Sequence, residues 1–167
     1  IVGFPEQNYD LFNACGVCSN GSVEAIYRKK HLPNYGVFDE HRYFQSSNEL
    51  TLLKFNETLV GLTICEDIWY PGPPTSDLSL TGANVVANIS ASPFHIGKGV
   101  EREQMLISRA QDNGCWIIFV NAVGGQDELV FDGHSLVIDA EGSTVARAPS
   151  FEETLLICDI ENTKKII

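Results

Sequence analysis

Residues 85–120 read VVANISASPFHIGKGVEREQMLISRAQDNGCWIIFV and contain two apolar runs on either side of a helix-forming segment. The continuous runs Val85–Ile89 and Trp116–Val120 are typical of strands that are covered on both faces. Between them, 99–113 is rich in helix formers, and Gly114 stands where a helix C-terminal cap belongs. A strand, a helix and a second strand in this order predict a parallel crossover, and therefore an α/β fold.

Shorter apolar runs on both sides of this unit predict antiparallel hairpins, because turn-forming residues separate them in pairs. The Pro- and Gly-rich segment 71–76 interrupts the pattern and is expected to lead into a short helix. The sequence predicts hairpins from 11–18 with 22–28, 50–55 with 59–64, and 135–138 with 144–148, together with a strand at the start of the chain and a final strand at 154–159.

The composition favours one domain, 1–167, and narrows the possible partners. The chain has 11 Lys and Arg against 22 Asp and Glu, a net charge of −11, which argues against nucleic acid as a partner. No apolar run is long enough to span a membrane, and no signal peptide opens the chain, so we expect no membrane association and a cytoplasmic location. The 5 cysteines are an odd number in apolar segments, which does not suggest a secreted disulfide framework.

One cysteine has the surroundings expected of a nucleophile. The segment Leu62-Thr63-Ile64-Cys65-Glu66-Asp67-Ile68-Trp69 ends an apolar strand with Cys65 and two acids. A reactive thiol needs a cation and a proton acceptor nearby. The loop at 27–40 contains both, as Lys29 or Lys30 and as Glu40, although charges that follow strands are more often simply solvated.

The order of these motifs resembles a known family. A Lys-x-x-Leu-Pro motif at 29–33 precedes Phe-Asp-Glu at 38–40 and Ile-Cys-Glu-Asp-Ile-Trp at 64–69, and two longer similar blocks follow at 88–98 and 120–133. The sequence resembles the nitrilase, or carbon–nitrogen hydrolase, superfamily and, within it, the glutaminase domains of glutamine-dependent NAD+ synthetases. The resemblance implies a nitrilase-type α-β-β-α four-layer sandwich that packs against a second copy in a homo-oligomer.

The resemblance also implies roles for particular residues. By motif matching, Cys65 is the nucleophile, Lys29 stabilises the oxyanion of the tetrahedral intermediate, and Glu40 supports the lysine. Lys30 is one place away from the motif position. Contacts with the glutamine substrate are implied for Tyr35, Glu66, Ser92 and Lys98.

The general base that the family uses is a glutamate upstream of all these motifs. Glu6 has similar neighbours in Phe4-Pro5-Glu6, but its strand leads directly into the hairpin that follows the base in the family, so we reject Glu6 for this role. We therefore expect the N-terminal strand, the first helix and the base of the domain to lie before residue 1. A chain without them should be nearly inactive, because lost acid–base catalysis costs about 10²- to 10⁴-fold.

The function implied is the glutamine amidohydrolase part of a glutamine-dependent NAD+ synthetase, which passes ammonia to a synthetase domain. ATP and Mg²⁺ are expected only in that domain, whose Ser-Gly-Gly pyrophosphate loop does not occur here. We expect no cofactor and no metal in this domain, and the 4 histidines are not spaced as a metal site. Asp127, Glu128 and Asp132 resemble a carboxylate cluster for a metal, but the resemblance implies that their loop lies nearer an interdomain or subunit contact. Two alternatives remain: a free-standing nitrilase-type amidase for another small amide, and a non-catalytic nitrilase-like interaction module.

Overall fold

The computed structural model describes residues 1–160; residues 161–167, the end of the predicted domain, lie outside the described residues. Two α-helices, two 3₁₀ turns (Glu40–Arg42 and Cys65–Ile68) and eleven strands make up the described part. In chain order the elements are β1 Val2–Asn8, β2 Asp10–Ser19, β3 Ser22–Arg28, β4 Leu52–Phe55, β5 Thr58–Ile64, α1 Thr75–Leu80, β6 Val85–Ser90, α2 Lys98–Asn113, β7 Trp116–Asn121, β8 Val123–Gln126, β9 Leu129–Asp132, β10 Leu136–Ile138 and β11 Thr144–Arg147.

The larger sheet contains the predicted crossovers. Its six strands lie in the order β11-β10-β7-β6-β5-β4, and the three central strands β5, β6 and β7 are parallel. Ile64 pairs with Ile89, and Ser90 pairs with Asn121. The carboxyl ends of β5, β6 and β7 therefore meet at one edge of the sheet, where open α/β sheets commonly bind ligands.

Both helices cover one face of this sheet, because their apolar sides supply its core. Leu78 of α1 and Leu106 and Ala110 of α2 are fully buried with Val86 and Phe119 of the sheet. Helix α1 approaches β5 so closely that a β-carbon at Gly61 would lie 2.9 Å from the Leu78 side chain. The predicted C-terminal cap of α2 is confirmed, since Gly114 has a φ of 59°.

The smaller sheet packs on the opposite face. Strands β1, β2 and β3 are antiparallel, and Cys15, Val17 and Tyr27 from this sheet are buried with Leu62 and Ile64 of β5. The α/β prediction is confirmed. Of the four layers that the resemblance implied, residues 1–160 form three: the helices, the six-stranded sheet and the three-stranded sheet.

Two features at the C-terminal end differ from the sequence prediction. The hairpin of β8 and β9 was not predicted, and it carries Leu129 and Phe131 towards the carboxyl edge of the central strands. The predicted strand at 154–159 is wrong: this segment has no ladder partner, and Leu155 and Ile157 are 84% and 82% exposed. Its alternation of apolar residues resembles a strand, but a strand forms only where a neighbour pairs with its backbone. Neither helix of the described residues has the length and apolar character needed to cross a membrane.

Candidate active site

Cys65 lies in an unusual backbone conformation at the end of β5. Ile64 is extended, with φ −124°, whereas Cys65 has φ 44° and begins the 3₁₀ turn Cys65–Ile68. A left-handed conformation at a residue other than glycine costs about 1–3 kcal/mol and is concentrated at functional sites. The turn leaves Cys65 half-buried, between two cavities that both include it in their lining.

The first cavity, of about 420 Å³, brings together Cys65, Lys29 and Glu40. Lys29 is 1% exposed, and its Nζ donates a hydrogen bond of 2.7 Å to Glu40 Oε1. Asn13 Nδ2 donates to the other carboxylate oxygen over 3.3 Å. Lys30, the neighbouring cation, is half-buried and bonds Asn48 instead. Of these two lysines, only Lys29 lines the cavity.

The local environment favours the protonated thiol of Cys65 over the thiolate. Burial raises its pKa, and the charges of Glu66 and Glu40 raise it further. Lys29 opposes this shift, and the hydroxyl of Ser90 does so to a smaller extent. The thiolate therefore depends on the ammonium of Lys29 and on a proton acceptor that removes the thiol proton.

The second cavity, of about 450 Å³, contains all four residues that were predicted to contact substrate: Tyr35, Glu66, Ser92 and Lys98. The Tyr35 hydroxyl donates to Glu66 Oε1 over 2.7 Å. Burial, and then this hydrogen bond to Glu66, raise the pKa of Tyr35, so the phenol stays neutral. Glu66 is 6% exposed and lies in the wall of this cavity.

Lys98 supplies the positive charge of this second cavity. It is the first residue of α2, and its Nζ lies 3.8 Å from the centroid of the Trp69 ring. The same Nζ donates to Glu101 Oε1 over 3.2 Å. The side chain of Glu101 is 53% exposed, so this pair is open to competition from an anionic ligand.

The sequence did not identify the residues that hold Ser92. Asn121, at the end of β7, accepts a hydrogen bond of 2.8 Å from the Ser92 amide, and the buried guanidinium of Arg102 lies 3.4 Å from both Ser92 oxygens. Arg102 also forms a buried ion pair of 3.1 Å with Asp132. One signal was available: Arg102 is four residues before Leu106 on the apolar side of α2, which is an improbable place for an unpaired charge.

Two other sequence interpretations can be compared with the structure. Glu6 lines neither of the two cavities. Its carboxylate accepts hydrogen bonds of 2.6 and 2.9 Å from Arg28. Asp132, considered above among the acids at 127–132, is the partner of Arg102. Among residues 1–160, no three His, Cys, Asp or Glu side chains are grouped as metal ligands would be.

Comparison with known proteins identifies the family of the chain. Residues 1–164 match the carbon-nitrogen hydrolase family, and the chain belongs to that family. This result confirms the resemblance drawn from the ordered motifs.

Several relatives share one name. The chain is 48% identical over 160 residues to the glutamine-dependent NAD(+) synthetase of Aquifex aeolicus, and 46% identical over 162 residues to that of Thermotoga maritima. Each alignment covers 96% of this chain and 28% of the relative, so the chain spans less than a third of their length.

Solved structures are similar in fold. The glutamine-dependent NAD+ synthetase from Acinetobacter baumannii, in complex with ADP, superposes with a TM-score of 0.88 at 38% identity, over 91% of this chain and 29% of that one. A carbon-nitrogen hydrolase from Helicobacter pylori gives a TM-score of 0.76 at 26% identity, over 91% of this chain and 58% of that one.

Proposed function

We propose that this chain is the glutamine amidohydrolase part of a glutamine-dependent NAD+ synthetase, converting L-glutamine and water into L-glutamate and ammonia. One observation carries the proposal: Cys65 joins a cavity with a buried Lys29–Glu40 pair to a cavity with Glu66, Ser92 and Lys98. The first cavity has groups suited to amide chemistry, and the second has charges suited to an amino acid. The names of the relatives support the choice of glutamine.

The first half of the reaction uses the Lys29 cavity. The sulfur of Cys65 attacks the side-chain carbonyl carbon of glutamine, and the thiol proton passes to a base. The ammonium of Lys29 stabilises the negative charge that develops on the carbonyl oxygen, and Glu40 fixes the direction of that ammonium. The carbon–nitrogen bond then breaks, ammonia leaves with the proton returned by the base, and a γ-glutamyl thioester remains on Cys65.

The second half requires a base to activate water, which hydrolyses the thioester and regenerates the thiol. The carboxylates that line the two cavities within residues 1–160 already have partners: Glu40 bonds Lys29, Glu66 bonds Tyr35, and Glu101 bonds Lys98. None of the three is placed as an unengaged proton acceptor beside Cys65. We therefore expect the 167-residue chain alone to turn over glutamine about 10²- to 10⁴-fold more slowly than a site that contains a base.

The second cavity would select glutamine by its amino acid end. Lys98 is positioned to bind the α-carboxylate, which would displace Glu101 from the ammonium. Glu66, held by Tyr35, would accept a hydrogen bond from the α-ammonium group. Ser92 would orient the substrate between Glu66 and Lys98. A simple amide lacks both charged groups and would lose these contacts.

The wider setting of the chain is part of the same proposal. Residues 1–167 would be part of one glutaminase-type domain, and the ammonia would pass to a synthetase domain that binds ATP and Mg²⁺. The positive charge of Lys29 supplies the electrostatic stabilisation, so the proposed amide chemistry calls for no cofactor in this chain. We further propose a cytoplasmic homo-oligomer, as the resemblance to the family implies.

Ammonia release in a single turnover tests this proposal. An excess of L-glutamine, L-asparagine or acetamide would be mixed with the chain and the first turnover followed, with Cys65→Ser as the control. We expect one equivalent of ammonia per Cys65 from L-glutamine at least tenfold faster than from the other amides. Equal rates with acetamide would favour a general amidase, and no release from any amide would favour a non-catalytic module.

A further inference from the structure

Asp67 is a fully buried carboxylate that connects the Cys65 turn to the lysine loop. Its Oδ1 accepts hydrogen bonds from the backbone amides of Lys30 and His31, over 3.1 and 2.8 Å. Its Oδ2 accepts from the Tyr27 hydroxyl over 2.8 Å and from the Ile64 amide over 2.9 Å. Asp67 itself is 0% exposed.

The four donors lie beside the two residues to which the proposed reaction assigns most of the chemistry. Tyr27, Lys30 and His31 surround Lys29 in the sequence, and Ile64 immediately precedes Cys65. One carboxylate therefore fixes the backbone just after Lys29 and just before Cys65, and it also holds the side chain of Tyr27, two residues before Lys29. We propose that Asp67 is a positioning residue that holds the ammonium of Lys29 near the thiol of Cys65; this inference rests on the proposed function only in calling that pair reactive.

Burial raises the pKa of Asp67, and the hydrogen bonds from His31, Ile64 and Tyr27 oppose this rise, so the hydrogen-bonding pattern favours the ionised carboxylate. All four partners are donors, and each oxygen accepts two of them. Asparagine has nearly the same shape, but in either orientation its NH2 group would face at least one backbone amide, which cannot accept a hydrogen bond. Asp67→Asn thus disrupts the connection while removing little volume.

Two other roles for Asp67 predict different results. The hydrogen bond from the Ile64 amide to Asp67 also caps the 3₁₀ turn. If capping were the only role of Asp67, Asp67→Asn would lower stability and leave the pKa of the Cys65 thiol unchanged. A direct charge effect would have the opposite sign, because removing a nearby negative charge lowers the pKa of a thiol. If Asp67 positions Lys29, Asp67→Asn should raise the pKa of the Cys65 thiol, because Lys29 is the main group that lowers this pKa.

Several charged and titratable groups surround Cys65 and Asp67. Lys29, Glu66 and Glu40 act on Cys65, while Tyr27 and Lys29 act on Asp67. Cys15, in the smaller sheet, also senses Asp67, and burial raises its pKa to about 11. The alkylation of Cys15 and that of Cys65 must therefore be measured separately.

The test is the pH profile of iodoacetamide alkylation, read at the Cys65 peptide by mass spectrometry in the full chain. We expect Asp67→Asn to raise the midpoint by about 1 pH unit, which is roughly tenfold slower alkylation at a fixed pH below it. Tyr27→Phe removes one of the four donors and should raise the midpoint by a smaller amount. Asp77→Asn, an acid in the first turn of α1, is the matched control and should leave it unchanged.

A double substitution identifies the route of the effect. If Asp67 acts through Lys29, Asp67→Asn should raise the midpoint no further in a Lys29→Met background. A midpoint that is unchanged or lowered in folded Asp67→Asn would overturn the inference, as would full additivity with Lys29→Met. If Asp67→Asn does not fold, Tyr27→Phe provides the test: a higher midpoint supports the inference, and an unchanged or lower midpoint overturns it. Iodoacetamide needs no glutamine site, so failure here is distinct from failure to release ammonia from glutamine.

Discussion

Lys29 and Glu40 form a buried ion pair of 2.7 Å in the wall of the Cys65 cavity. Lys29 is 1% exposed and the Glu40 side chain 17%, so the ammonium is fully buried and the carboxylate is partly buried. Burying such a charge pair requires desolvation of both groups, a cost that opposes folding. Removing only one of the two partners is strongly destabilising, because it leaves an unpaired buried charge. In the proposed reaction, this cost is offset by an ammonium that is already oriented when charge develops on the substrate.

Replacing Lys29 tests this electrostatic role. Lys29→Met should slow the first-turnover release of ammonia from L-glutamine by about 10²- to 10³-fold, the usual effect of losing an oxyanion donor. Lys30→Met is the matched control, because Lys30 bonds Asn48 and does not line the cavity; it should change the rate less than about threefold. Equal loss in both variants would contradict the role assigned to Lys29.

The charges around Cys65 predict opposite pH shifts in two variants. Burial raises the pKa of the thiol, Lys29 lowers it, and Glu40 raises it. The alkylation midpoint should therefore lie above that of an exposed thiol, move higher in Lys29→Met, and move lower in Glu40→Gln. Peptide-resolved alkylation between neutral and alkaline pH measures all three midpoints, and shifts of the same sign in the two variants would be inconsistent with this arrangement.

Lys98 should control substrate affinity and not thiol reactivity. Lys98→Met should raise the KM for L-glutamine by about 10- to 100-fold, since a hydrogen bond to a charged group is lost. Glu101→Gln should lower the KM, because Glu101 competes for the same ammonium. 4-Aminobutanamide, which lacks the α-carboxylate, serves as the control substrate. An equal effect of Lys98→Met on this amide would exclude the proposed carboxylate contact.

Glu6 should contribute to stability and not to catalysis. Its hydrogen bonds to Arg28 hold the pKa of Glu6 below the ordinary 4.5, so the stabilisation is present above that pH and is lost as the pH falls through the lower folded value. Glu6→Gln should reduce the free energy of unfolding by about 1 kcal/mol at neutral pH, and the difference should vanish in acid. Denaturant unfolding across this pH range measures it. A large loss of ammonia release would instead identify Glu6 as the base.

Local sequence signals were sufficient for much of the site. The strand that ends at Cys65, the crossover through α2 and the turn after it are encoded by contiguous residues, and the structure contains all of them. The motif match also selected Lys29 over Lys30, which spacing alone left open. The grouping of Tyr35, Glu66, Ser92 and Lys98 in one cavity agrees with the resemblance.

Residues whose partners are distant in sequence could not be assigned in this way. Asp67 is 40 residues from Tyr27, and Arg102 is 30 from Asp132, so neither pairing leaves a local pattern. The error at 154–159 has a related cause, because apolar alternation was present but no neighbouring strand pairs with the segment. Burial and pairing in three dimensions decided these cases.

Covalent labelling with a chloroketone analogue of L-glutamine tests the central claim most directly. The thiolate of Cys65 would displace chloride and form a carbon–sulfur bond, which does not require the base that hydrolyses a thioester. We predict one adduct per chain, located at Cys65 by peptide mass spectrometry, and protection by excess L-glutamine but not by D-glutamine. Labelling spread over the other cysteines, or no labelling of Cys65 under conditions where iodoacetamide modifies it, would contradict the account.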